Sequence, residues 1–167
     1  MTLLIEEIKK AKETFQVDYC TFSVEELICL YKEGTLDINS YSRSFEATHP
    51  DNVWLIGQKR EFIETLFLGL PVRPLMIKVV DSKWLVISGI SVITTILEFV
   101  GVLVEGNYYP GNYPCKKMMA TKLLPSLENK TYDNLQDREK SIFKGAKVPV
   151  VLLYEQEVGD ITWRYVL

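Results

Sequence analysis

The chain has 167 residues, 47% hydrophobic and 25% charged, with a formal net charge of −3. That length fits one domain able to bury roughly 70% of its unfolded surface. The mild acidity, with no Lys/Arg block, argues against a sequence-independent grip on a nucleic-acid backbone, which needs a concentrated positive footprint.

Chemistry is thinly supplied. Cys20, Cys29 and Cys115 form no CxxC pair, and His49 is the only histidine, which argues against a Cys/His zinc centre and for no metal or cofactor. The thiols read as buried and reduced, in a cytoplasmic protein. No GxSxG or Walker A sequence occurs.

In chain order, Leu4, Ile5, Ile8, Ala11 and Phe15 predict an amphipathic helix over Leu3–Phe15. Its charged residues follow a short apolar run too closely for a signal peptide. VDYCTF (17–22) reads as a strand. Ser23 and Glu26 have capping-box spacing, opening a helix that Gly34 closes and that buries Val24, Leu27, Ile28 and Leu30 or Tyr31. TLDINSYSRSFEATHPDN (35–52) is a polar loop with short extended pieces, in which His49 is a solvated residue. A second helix spans Asn52 to Gly69, with Gly69 and Pro71 as its stop. Leu75–Val80 and Trp84–Ile87 read as strands joined at Asp81-Ser82-Lys83.

WLVISGISVITTILEFVGVLV (84–104) carries one charge, Glu98, in 21 residues, long enough for a membrane span. From Gly89 onward, however, Ile90, Ile93, Leu97 and Val100 share one helical face, while Ser91, Thr94 or Thr95, and Glu98 share the other. That pattern predicts a helix packed on a core with a polar back, entered from a strand through Ser88 as N-cap and Gly89 as a sharp turn. A helix start after a strand can hold an anion, although any capped turn has the same form. YYPGNYP (108–114) is a turn-rich loop whose Tyr108, Tyr109 and Tyr113 serve either as a binding surface or as packing. Lys117–Leu124 reads as a strand, Asn134–Lys144 as a helix, and Val148–Tyr154 with Ile161–Val166 as a hairpin. Glu6-Glu7, Glu25-Glu26 and Glu155/Glu157 read as solvated faces. The whole predicts one α+β domain over residues 1–167, a small mixed sheet with flanking helices.

Three segments together resemble one family: YSRSFEA (41–47), REFIETLFLGLPVRPLMI (60–77) and WLVISGISVITTILEFV (84–100). They are similar to the "YQR-x-F-x-W", "FIESLLLGIPIPP" and "VIDGQQRLTTILEFL" segments of the N-terminal domain of unknown function in GmrSD-type modification-dependent restriction enzymes. LLPSLENKTYDNLQDREKSIFKGAKVPVVLLYE (123–155) resembles the segment leading to that family's next core strand. The resemblance covers roughly residues 20 to 160 and implies a ParB/sulfiredoxin-like fold.

It also implies a lost activity. The family's DGQQR signature, associated with nucleotide binding and hydrolysis, stands here as Ser88, Gly89, Ile90, Ser91 and Val92. A carboxylate can orient water or a metal, amides can bond phosphate oxygens, and arginine can neutralise developing charge; valine and isoleucine can do none of these. Arg43 and Phe45 match the family's other motif, while Ser42 and Ala47 do not. The resemblance thus marks Arg43, Ser88, Gly89 and Ser91 as a vestigial nucleotide or phosphate site, with Arg43 equally open to a structural ion pair. With one histidine, the chain cannot build the multi-histidine HNH nuclease centre that often follows in the family.

Three functions compete. The first is a non-catalytic protein that binds another macromolecule, most readily a protein, as a regulator, decoy or inhibitor in a bacterial or phage defence conflict. The second is a DNA-binding module, and the third a residual nucleotide-binding NTPase. The sequence does not fix an oligomeric state, and no membrane association is expected.

Overall fold

The computed structural model describes residues 2–38, 54–103 and 114–155. Helix α1 (Leu3–Glu13) runs into strand β1 (Phe15–Ser23), helix α2 (Val24–Lys32) and a two-residue strand, β2 (Leu36–Asp37). Helix α3 (Ile56–Leu68), the hairpin β3 (Leu75–Val80) and β4 (Lys83–Ser88), and helix α4 (Ile90–Val100) follow. Two short 3₁₀ turns, Pro125–Leu127 and Tyr132–Asn134, precede helix α5 (Asp137–Gly145) and strand β5 (Lys147–Glu155).

The strands form one mixed sheet in the order β1-β5-β3-β4-β2. β1 pairs antiparallel with β5 and β3 antiparallel with β4, while β5–β3 and β4–β2 are parallel. Among the described residues this is a single α+β unit. Alternate strand residues make one sheet face apolar. Leu75, Ile77, Val86, Val148, Val150 and Leu152 from that face join one buried cluster with side chains of α2, α3, α4 and α5. Phe99 and Phe143 belong to that cluster, their centroids 5.2 Å apart, and Phe67 and Tyr132 pack against them edge-on or tilted.

Much of the predicted grammar is present. The Ser23 hydroxyl accepts from the Glu26 N–H at 3.1 Å, and the Glu26 carboxylate accepts from the Ser23 N–H at 2.6 Å, a reciprocal cap that opens α2. Val24, Leu27 and Ile28 are its buried residues. α3 ends at Gly69 in the left-handed conformation, as its stop signal predicts.

Several expectations are corrected. α3 starts at Ile56 rather than Asn52, where the Gln58 side chain accepts from the Leu55 N–H at 2.8 Å. Lys117–Leu124 is not a strand: only Lys117 makes an isolated bridge, to Thr131, and the segment is tied to α3 by side chains instead. The helix expected from Asn134 begins at Asp137, after a 3₁₀ turn. β5 is flanked on both edges over 150–154, by β1 and by β3, so it offers no edge to the hairpin expected with Ile161–Val166; those residues lie outside the described ones. Cys115 is buried and Cys20 half-buried, but Cys29 is exposed rather than buried.

Candidate functional site

The stretch 84–100 divides as a strand, a turn and a helix. β4 ends at Ser88, opposite Met76, and carries one extra residue, Ile87, where the pairing shifts between Met76 and Ile77. Gly89 follows with φ +83°, in the left-handed region. A Cβ there would sit 2.9 Å from Leu75 Cδ2 and 3.1 Å from the Pro74 carbonyl oxygen. Glycine is therefore required twice, by conformation and by the close approach of the segment entering β3. The N-cap is Gly89, with no side-chain cap, so the role expected of Ser88 is not realised. The Gly89 carbonyl accepts from the Val92 N–H at 3.0 Å and from the Ile93 N–H at 3.3 Å, starting α4.

The residues in the signature positions are packed. Val92 is 1% exposed and belongs to the core cluster with Ile90 and Ile93. Ser91 is buried and has a bonded partner; Ser88 is half-buried. Arg43, Tyr108, Tyr109 and Tyr113 lie outside the described residues, so the structure brings together Ser88, Gly89 and Ser91 alone of the predicted site residues.

The expected polar back of α4 is not solvated. Ser91, Thr95 and Glu98 are all buried, because α3 and the segment after residue 114 cover that face. Lys59 of α3 donates to both oxygens of Glu98 at 2.9 Å, and the Cys115 backbone N–H donates to Glu98 Oε2 at 2.9 Å. The Lys59 and Glu98 side chains are 2% and 0% exposed. Burial, with the Glu98 carboxylate second, pushes the Cys115 thiol up to about 11, which keeps it protonated and inert at neutral pH. The Thr95 hydroxyl is buried with no hydrogen-bond partner among the described residues.

A second polar cluster lies further along α3. The Glu64 carboxylate accepts three successive backbone N–H groups, from Lys122 at 3.1 Å and from Leu123 and Leu124 at 2.6 Å. Burial pushes its pKa up, but the three N–H donors and the Lys122 ammonium outweigh burial, and it lies below the ordinary carboxylate value. Arg60 Nε donates to the Lys117 carbonyl at 3.3 Å, and Lys122 pairs with Glu61. One face of α3 thus straps residues 117–124 to the domain.

The sequence reading put Glu98 on a polar back and passed over Lys59 and Glu64, although signals for the buried pair existed. Glu98 is the sole charge in an apolar stretch, and Lys59 sits three and four residues before Phe62 and Ile63 on the buried stripe of its helix. A charge in such a place needs a partner.

No family model, curated protein or solved structure matches this chain.

Proposed function

We propose that the chain is a non-catalytic protein that binds another macromolecule, its partner a protein, on a scaffold resembling the GmrSD N-terminal module. The observation that carries this reading is the burial of Val92 and Ile90 in the positions where the resemblance places an amide-and-arginine pocket. Side chains locked in the core cannot polarise a phosphoryl group, and Gly89 is explained by packing against Leu75 without a ligand. The one buried carboxylate of α4, Glu98, is already bonded to Lys59 and the Cys115 N–H. Binding then falls to segments outside the described residues, with Tyr108, Tyr109 and Tyr113 as the anchors and Tyr41 to Phe45 as a second contact. Action as a regulator, decoy or inhibitor in a defence conflict follows from the resemblance, and a cytoplasmic location from the reading of the cysteines as reduced thiols. Among the described residues no helix is long and apolar enough to cross a membrane.

Affinity capture from the native host with the wild-type chain and a Tyr108→Ala/Tyr109→Ala variant tests the reading. The expected result is a specific protein partner whose recovery falls several-fold in the variant, with an unchanged melting temperature. Salt-sensitive retention of DNA in place of a protein would support the nucleic-acid module instead. Recovery of the same protein at wild-type yield would move the binding surface away from the tyrosines.

A further inference from the structure

Helix α1 is amphipathic, yet none of its residues is buried. Leu4 is 63% exposed, and Ile5 and Ile8 remain more than two-fifths exposed. An isolated 11-residue helix is marginal in water, because its stability normally comes from packing its apolar face. β1, directly after it, is the edge strand of the sheet among the described residues. Its pairing with β5 runs without a break from Phe15 to Ser23, so no bulge twists the edge away. The strand FQVDYCTFS contains no proline, lysine or arginine, the residues that ordinarily block edge-to-edge pairing. Tyr19, at its centre, is 83% exposed, with Val17 exposed beside it.

We propose that the surface formed by α1 and the free edge of β1 is the contact between two copies of this chain. Two-fold symmetry requires a surface that complements itself. Nine-residue edges overlap fully when they run antiparallel with Tyr19 meeting its symmetry mate. In that register Asp18, the only charge of β1, lies opposite Cys20 rather than another acid. Along α1, Glu6 and Glu7 occupy the first half and Lys9, Lys10 and Lys12 the second, so halves of opposite net sign meet when two copies run antiparallel. A nucleic acid or an anionic surface would find no net positive charge here: the three lysines are matched by Glu6, Glu7 and Glu13. A second copy supplies both what the edge lacks among the described residues, a partner strand, and what the helix lacks among them, an apolar cover.

Light scattering on the full chain across the micromolar range tests this, together with Tyr19→Lys on the edge and Ile8→Glu on the helix. Both residues are exposed in the single chain, and the second variant serves if the first fails to fold. The expected result is a concentration-dependent dimer whose dissociation constant rises at least about a hundredfold in either variant, with circular dichroism unchanged. A monomer at every concentration overturns the proposal, as does a dimer indifferent to both substitutions. A monomer whose variants lose thermal stability also overturns it, by placing another part of the same chain on this face.

Discussion

At the scale of single residues, two positions carry more than their neighbours. Gly89 combines φ +83° with a 2.9 Å approach to Leu75, so Gly89→Ala adds both backbone strain and a clash. A loss of about 2–3 kcal/mol is expected in urea unfolding, and an unchanged midpoint would mean the turn relaxes freely. Glu64 is held by three backbone N–H groups, and its pKa is lowered relative to its ordinary value of 4.5. A depressed carboxylate contributes stability that is present above its unfolded pKa and is lost as pH falls through the folded one. Glu64→Gln should therefore cost about 2 kcal/mol near neutrality and make the acid limb of the stability curve shallower. Parallel wild-type and variant curves from pH 7 to the acid limit would contradict that role.

At the scale of elements, local signals were legible where one segment decides its own structure. The Ser23–Glu26 cap, the Gly69 stop and the strand before Gly89 all follow from neighbouring residues. The polar back of α4 was misread because periodicity reports a difference between helix faces, not what covers each face; here Lys59 and the Cys115 N–H cover the polar one. Residues 117–124 looked like a strand because Met118 and Met119, with Leu123 and Leu124, are apolar enough. The carboxylate of Glu64, 58 to 60 residues away in sequence, takes the N–H groups that a ladder would have used. The hairpin expected after β5 was a local guess, whereas the N-terminal β1 holds one edge of that strand from across the chain. The strap between α3, α4 and residue 115 yields its own prediction. Lys59→Met leaves the Glu98 carboxylate buried without its cation, and should destabilise by about 3–5 kcal/mol. Adding Glu98→Leu should recover part of that loss, with the Cys115 N–H remaining unpaired. Additive losses in chemical denaturation would show that the pair does not act as a unit.

At the scale of the whole molecule, the single α+β unit with one mixed sheet was readable from alternating strands and capped helices, while the order β1-β5-β3-β4-β2 was not. Parallel β5–β3 and β4–β2 pairings join distant segments, and nothing within either strand names its partner. Of the candidate site, Gly89 and the strand–helix turn were legible, whereas the burial of Val92 was not, since 100° per residue places it off the apolar stripe of Ile90, Ile93 and Leu97. Core on several sides of α4 resolves this. The proposed function requires the turn at Ser88–Val92 to be structure in place of chemistry. Hydrolysis of ATP, GTP and CTP by the purified chain, with Arg43→Ala and Val92→Arg run in parallel, tests it most directly. No turnover above the buffer control is expected in any of the three proteins, and Val92→Arg should leave stability equal or lower without restoring activity. Turnover by the wild type that Arg43→Ala abolishes would contradict it.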